Sequence, residues 1–415
     1  MMMNFTDNLK SLLKPASIPG GVPAPMADAM AMVRQGRLQD ASDLLMGRSK
    51  AHDVAGQEKG HSPSAPDQRL PNWVARGLAS AHEALAHLDL RAGGFAATPA
   101  DATVASTTAS HPAAPSLSAA PGRFERVELV HQGASHAYFL YIPQTAVPAG
   151  GRPLVLMLHG CTQNAQDFAQ GTRMNSTAEA AGALVLYPTQ SQSANAHRCW
   201  NWFRPEDQQS GAGEPALLHA MLRHTIASQP VDPQRVFVAG LSAGGAMAAV
   251  MAQQYPHLFT AVGVHSGLPT GAATSMIGAL SAMKSGAKGW CASSTNSDAK
   301  VVPLIVMHGD ADKTVHKRNG EQLFQSAAAG VATTVQTQEE GTSSDGQRYT
   351  RTSLLNPKAP GKVIAEHWLL HGAGHMWSGG DARGSYTSAH GVDASAQMMH
   401  FFLMQAAHAA PVDGL

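Results

Sequence analysis

Arg235-Val236-Phe237-Val238-Ala239-Gly240-Leu241-Ser242-Ala243-Gly244-Gly245-Ala246-Met247-Ala248-Ala249-Val250-Met251 is the stretch that decides the fold. Its first part is short, β-branched and apolar, which reads as a buried strand. Its last part is rich in Ala and Met, which reads as a helix. Between them stands Gly240-x-Ser242-x-Gly244, a turn so tight that small residues must flank the serine. Such a turn holds the serine hydroxyl at the rim of a sheet, with a helix N-terminus behind it.

The same alternation continues on both sides. Phe124–His131 and Ala137–Ile142 read as a strand pair around Gln132-Gly133. The spacing then predicts strands at 154–158, 183–187, 236–239, 259–264 and 304–307. Between them fall helices at 165–181, 214–228, 243–254, 274–284 and 319–328. Strands near 333–337 and over 363–370 precede a last helix at 394–407. This order predicts an α/β fold: a mostly parallel central sheet covered by helices on both faces. Right-handed crossovers bring the C-terminal strand ends to one edge, where ligand sites lie in such sheets.

The chain divides by composition into residues 1–122 and 123–410. In the first part, Met30, Met32, Val33, Leu38, Ala41, Leu44 and Leu45 fall at helical spacing, broken at Gly36. From Gly47 to Gly122 the chain is rich in Ala, Pro, Ser, Thr and Gly. That predicts a partly disordered extension holding a short helical segment, since it offers little apolar surface to offset ordering entropy. Near the start, Phe5, Leu9, Leu12 and Leu13 read either as a small patch that touches an apolar surface or as a frayed terminus.

Of the 415 residues only 14% are charged, and Lys+Arg 29 balance Asp+Glu 29. No basic face is implied, which excludes nucleic acid as the expected partner. No run of apolar residues is long enough for a transmembrane span, and Met1 to Pro15 lacks the core of a secretory signal. No metal cluster, P-loop or dinucleotide fingerprint is present, so no metal and no cofactor are expected.

A serine hydroxyl needs a base, and the base needs an orienting acid. In α/β-hydrolases they follow the serine in the order acid, then histidine. After the strand ending at Met307 comes His308-Gly309-Asp310-Ala311-Asp312, and after the strand ending at Leu370 comes His371-Gly372-Ala373-Gly374-His375-Met376-Trp377. Asp312 is the expected acid. Asp310 follows its strand at once and reads as a loop cap. His375 is the expected base, with His371 ending its strand. An acyl-transfer site also needs oxyanion donors. The backbone N–H of Ala243 is one candidate. Cys161 or Thr162, in the loop His159-Gly160-Cys161-Thr162-Gln163, supplies the other. Trp200 and Trp202 stand in the aperiodic stretch Arg198-Cys199-Trp200-Asn201-Trp202-Phe203, beside this edge. With Trp377 they read as walls of a substrate cleft. Three cysteines read either as three buried thiols or as one bridge and a free thiol; Cys161 and Cys199 leave the same edge, so a disulfide between them is geometrically accessible, which would leave Cys291 as the odd thiol.

Together Leu158–Gln163, Cys199-Trp200-Asn201-Trp202, Gly240–Met247, Gly263-Val264-His265-Ser266-Gly267, His308-Gly309-x-x-Asp312-x-x-Val315 and Gly374-His375-x-Trp377 resemble the polyhydroxybutyrate depolymerase family of esterases. Feruloyl and acetyl xylan esterases look like its relatives. The resemblance spans about Arg123 to Ala407. It implies an α/β-hydrolase fold, an ester substrate (a polyester or its oligomers), and Ser242, Asp312 and His375 as nucleophile, acid and base. It also implies export, whereas the lack of a visible signal points to the cytoplasm. Polymer-degrading members carry further modules after the catalytic domain. Here the extra segment precedes it, which favours soluble esters or oligomers.

Overall fold

The computed structural model describes residues 120–407 apart from 291–299, 330, 332 and 360. The expected N-terminal helical segment, the linker and Cys291 lie outside the described residues.

One ten-stranded sheet organises the described residues, in the order β1-β2-β4-β3-β5-β6-β7-β10-β9-β8. Its strands are β1 (Arg123–His131), β2 (Ala134–Ile142), β3 (Arg152–Leu158), β4 (Leu184–Pro188), β5 (Val231–Leu241), β6 (Ala261–His265), β7 (Leu304–Gly309), β8 (Val335–Thr342), β9 (Arg348–Leu355) and β10 (Val363–Leu370). From β4 through β3, β5, β6 and β7 to β10, neighbours run parallel. β3, β4, β6 and β7 are buried along their whole length. Parallel strands covered on both faces require continuous apolar runs, and these sequences supply them.

Helices α3 (Gly213–Ser228), α4 (Ala243–Gln254), α5 (Met276–Ser285) and α6 (Arg318–Ala329) cover one face. Leu218, Met247, Met251 and Leu323 pack there in one core cluster. Helices α1 (Ala165–Thr172), α2 (Met174–Ala181) and α7 (Ala394–Ala407) cover the other. Phe168, Met174, Met398 and Phe402 form that core. This is an α/β-hydrolase architecture, with the strand–turn–helix from β5 to α4 at its centre.

The structure differs from the sequence expectation in two places. The helix expected over 165–181 is two helices. Arg173 sits between them at φ 55° and ψ 19°, the left-handed region, which ends α1 and redirects the chain into α2. The strand expected near 333–337 runs to Thr342 and turns back as β9, which the sequence reading missed. β8 is almost wholly exposed and polar, so it carries no apolar alternation. Cross-strand pairs support it instead: Arg351 donates to Glu339 at 2.8 Å, and its guanidinium lies 5.2 Å from the Trp368 ring centroid.

Candidate active site

Ser242 links β5 to α4 at φ 57° and ψ −120°, a backbone conformation that side-chain-bearing residues rarely adopt. The turn closes because its neighbours are glycines. A Cβ at Gly240 would overlap the Gly244 carbonyl, and one at Gly244 would overlap the carbonyl of Leu158. The Ser242 N–H donates to the His265 carbonyl at 2.9 Å, tying the turn to the end of β6.

β7 and β10 lie in register, with Met307 opposite Trp368, so the loops that follow them meet. His375 Nδ1 donates to Asp312 Oδ2 at 2.8 Å. That bond fixes the tautomer, because the carboxylate only accepts, and leaves Nε2 as the lone-pair nitrogen. The other carboxylate oxygen, Oδ1, accepts from the Thr314 and Val315 N–H groups at 2.9 and 2.8 Å. Behind it His308, fully buried, donates from Nε2 to the Val315 carbonyl at 2.8 Å and stands 3.5 Å from Asp312 Oδ2. Burial alone would raise the Asp312 carboxyl. The bonds from His308 and His375, the His375 charge and the Val315 N–H outweigh it and hold the group well below the usual carboxylate range.

Asp310 does more than cap its own loop. Its Oδ2 accepts from His371 Nδ1 at 2.9 Å and its Oδ1 from the Gly372 N–H at 2.7 Å. His371 Nε2 in turn lies 2.9 Å from Thr350 Oγ1. With the Ala311 N–H on the Ala373 carbonyl, this second acid–imidazole pair zips the Asp312 loop to the His375 loop. Adjacent Asp-x-Asp and His-x-x-x-His spacings carry both pairs.

The loop after β3 reaches the elbow. A Cβ at Gly160 would stand 3.6 Å from Ser242 Cβ. His159 is buried and pushed down to about 4 by that burial. Its Nε2 accepts from the Gln190 N–H at 3.2 Å, so its Nδ1 hydrogen goes to the Gly160 carbonyl at 2.8 Å. Of the two expected donors in this loop, the Thr162 N–H is already spent on the His197 carbonyl at 2.6 Å. Thr162 is therefore corrected as a backbone donor. Among the described residues no acceptor meets the N–H of Cys161 or of Ala243. Cys161 and Cys199 are bonded as a disulfide across 38 residues of sequence.

Trp200, Trp202 and Trp377 are only 1%, 5% and 1% exposed. The expectation that they form a cleft wall is corrected: they pack the core beneath these loops. Trp377 stacks on His265 at 5.3 Å between centroids and donates to Ser395 Oγ at 3.2 Å. Trp200 lies 5.5 Å from the His159 ring. Aperiodic spacing gave no means of separating a wall from a floor.

Sequence reasoning missed Glu214, which opens α3 and is buried. It accepts from Gln190 Nε2 and from the Asn201 backbone and side-chain N–H groups. Burial, then the Asp207 charge, pushes its carboxyl up to about 7 against those bonds. Because Gln190 also donates to His159 and to the Cys199 carbonyl, Glu214 anchors the loop that carries the disulfide. A lone Glu at a helix start gives no sequence signal for this. No group of His, Cys, Asp and Glu among the described residues could hold a metal ion.

Residues 136–337 match the family model described as Esterase PHB depolymerase. Poly(3-hydroxyalkanoate) depolymerase C of Paucimonas lemoignei is 34% identical over 198 residues, 45% of this chain and 46% of that protein. Poly(3-hydroxybutyrate) depolymerase of Ralstonia pickettii is 35% identical over 157 residues, 36% of this chain and 32% of that one. Feruloyl esterase B of Neurospora crassa is 36% identical over 131 residues, 31% of this chain and 43% of that one. The chain thus spans less than half the length of these relatives. The acetyl xylan esterase structure from Aspergillus awamori is 18% identical, covers 68% of this chain and 99% of its own, and has a TM-score of 0.49. The family match, over residues 136–337, contains the β5–α4 elbow and Asp312 and ends before β10, and over that stretch the chain is similar to the PHB depolymerase esterases.

Proposed function

We propose that the chain is a serine esterase in which Ser242 is the nucleophile, His375 the base and Asp312 the orienting acid. His375 Nε2 takes the Ser242 proton as Oγ attacks an ester carbonyl. The charge that develops on the carbonyl oxygen is met by the N–H groups of Ala243 and Cys161. The alkoxide leaves with the proton from His375, and water then hydrolyses the acyl-enzyme through the same groups. The observation that carries this reading is the Asp312–His375 hydrogen bond at the sheet edge where the strained Ser242 also stands. The parallel register of β5, β6, β7 and β10 supports it, because all three loops leave from C-terminal strand ends.

The substrate class we infer is a short-chain polyhydroxyalkanoate, as polymer or as oligomer. The names of the two depolymerases at 34% and 35% identity support it. The feruloyl esterase similarity favours a second reading, a carbohydrate or phenolic ester. Rates on 3-hydroxybutyrate oligomers, a feruloyl sugar and an acetylated xylo-oligosaccharide separate the two. The first reading expects the highest kcat/KM on the hydroxybutyrate oligomers. Turnover confined to the sugar esters overturns it.

A further inference from the structure

The buried tryptophans leave open which group meets the substrate, and the loop after His375 holds a candidate. Tyr386 is 47% exposed, one of the large apolar side chains that the described surface leaves uncovered. Its backbone sits at φ 50°, in the left-handed region that an aromatic residue adopts only at a cost. A strained, exposed aromatic needs a cause, and its anchors give it a place. Its hydroxyl accepts from Thr162 Oγ1 at 3.4 Å, and Thr162 directly follows the proposed oxyanion donor Cys161. Its carbonyl accepts from the Trp377 N–H at 2.8 Å.

The residue before it is held harder still. The Ser385 N–H donates to Asp167 Oδ1 at 2.9 Å, and its hydroxyl bonds the other oxygen of the same carboxylate. The Ser385 carbonyl accepts from Gln163 Nε2 at 2.8 Å, while Gln163 Oε1 accepts the Gly160 N–H at 2.8 Å. One buried glutamine therefore ties the oxyanion loop to the base of Tyr386. The backbone that carries the ring is held before any ligand arrives, which lowers the ordering cost of binding.

Resting on the esterase reading above, we propose that Tyr386 is a specificity residue whose ring packs against the apolar acyl chain of the ester. The side of the site matters here. The leaving alcohol takes its proton from His375 and so departs on that side, whereas the carbonyl oxygen faces the oxyanion loop. Tyr386 stands against the oxyanion loop. Its ring offers apolar surface with no charge, suited to an aliphatic or aromatic acyl group.

The test compares p-nitrophenyl acetate with p-nitrophenyl hexanoate on the full chain. Tyr386→Asn removes the ring while suiting a left-handed backbone. Tyr386→Phe keeps the ring and removes the hydroxyl tie. Tyr386→Asn is expected to raise KM for the hexanoate about tenfold, with acetate KM and both kcat values changed less than about twofold. Tyr386→Phe is expected to keep the hexanoate preference. Equal losses on the two esters, or unchanged kinetics on both, overturn the proposal while leaving the esterase reading in place. A wild-type chain that hydrolyses neither ester overturns both.

Discussion

Asp312 is a buried carboxylate surrounded by donors, and its chemistry is set by what each oxygen touches. Oδ1 is saturated by two backbone N–H groups, and Oδ2 faces His375 with His308 behind. Asp312→Asn keeps the shape but turns an acceptor into a donor at one position. An amide that donates toward His375 forces the hydrogen onto Nε2, the wrong tautomer for a base. The expected result is a fall in kcat of about 10⁴ with the fold retained. Steady-state kinetics with near-UV circular dichroism checks it, and a loss below tenfold would contradict the role. Much of this was legible beforehand, because Asp312 and His375 each follow a strand that ends at the serine's edge. The pairing of Asp310 with His371 was not, since nothing in one sequence says which of two aspartates faces which of two histidines. The same holds for Trp200, Trp202 and Trp377: residue type names an aromatic, while burial decides its use.

At the scale of elements, the elbow was readable because its constraint is local. Gly240 and Gly244 are small where a Cβ would overlap backbone, and β5 and α4 declare themselves by apolar content. The break at Arg173 and the β8–β9 hairpin were not readable, because neither follows apolar periodicity. The link from α3 to the loop after β3 was equally hidden. It runs from Glu214 through Gln190 to His159 and Gly160. The Glu214 carboxyl sits at about 7 in the folded chain, raised first by burial. An unfolded glutamate titrates near about 4.3, so the folded state holds this proton more tightly. The stabilisation is full below that value and is lost as pH rises through about 7. Its size is on the order of 3 kcal/mol. Glu214→Gln sets an amide hydrogen against a donor, which lowers stability overall, yet it removes the titration. Urea unfolding at pH 5 and pH 8 is therefore expected to give a smaller pH-dependent loss for the variant than for wild type. Equal losses would assign the slope to other groups.

The whole molecule brings residues far apart in sequence to one rim by a parallel sheet with helices on both faces. That architecture was legible from the alternation of elements, and the hinge of the mechanism follows from it: strands β5, β7 and β10 release Ser242, Asp312 and His375 on the same side. The β1–β2 hairpin at one flank of this parallel core was legible around Gln132-Gly133, whereas the alternation could not convey the antiparallel β9–β8 pair at the other flank, where the polar β8 relies on cross-strand partners. The central claim is that Ser242 performs the chemistry. The most direct measurement exposes wild type and Ser242→Ala to a fluorophosphonate probe, maps the modified peptide by mass spectrometry, and follows p-nitrophenyl butyrate hydrolysis in the same samples. We predict one adduct, on Ser242, with loss of turnover in step with labelling, and a variant that neither labels nor turns over. An adduct on another residue, or near-normal turnover by Ser242→Ala, would contradict the account.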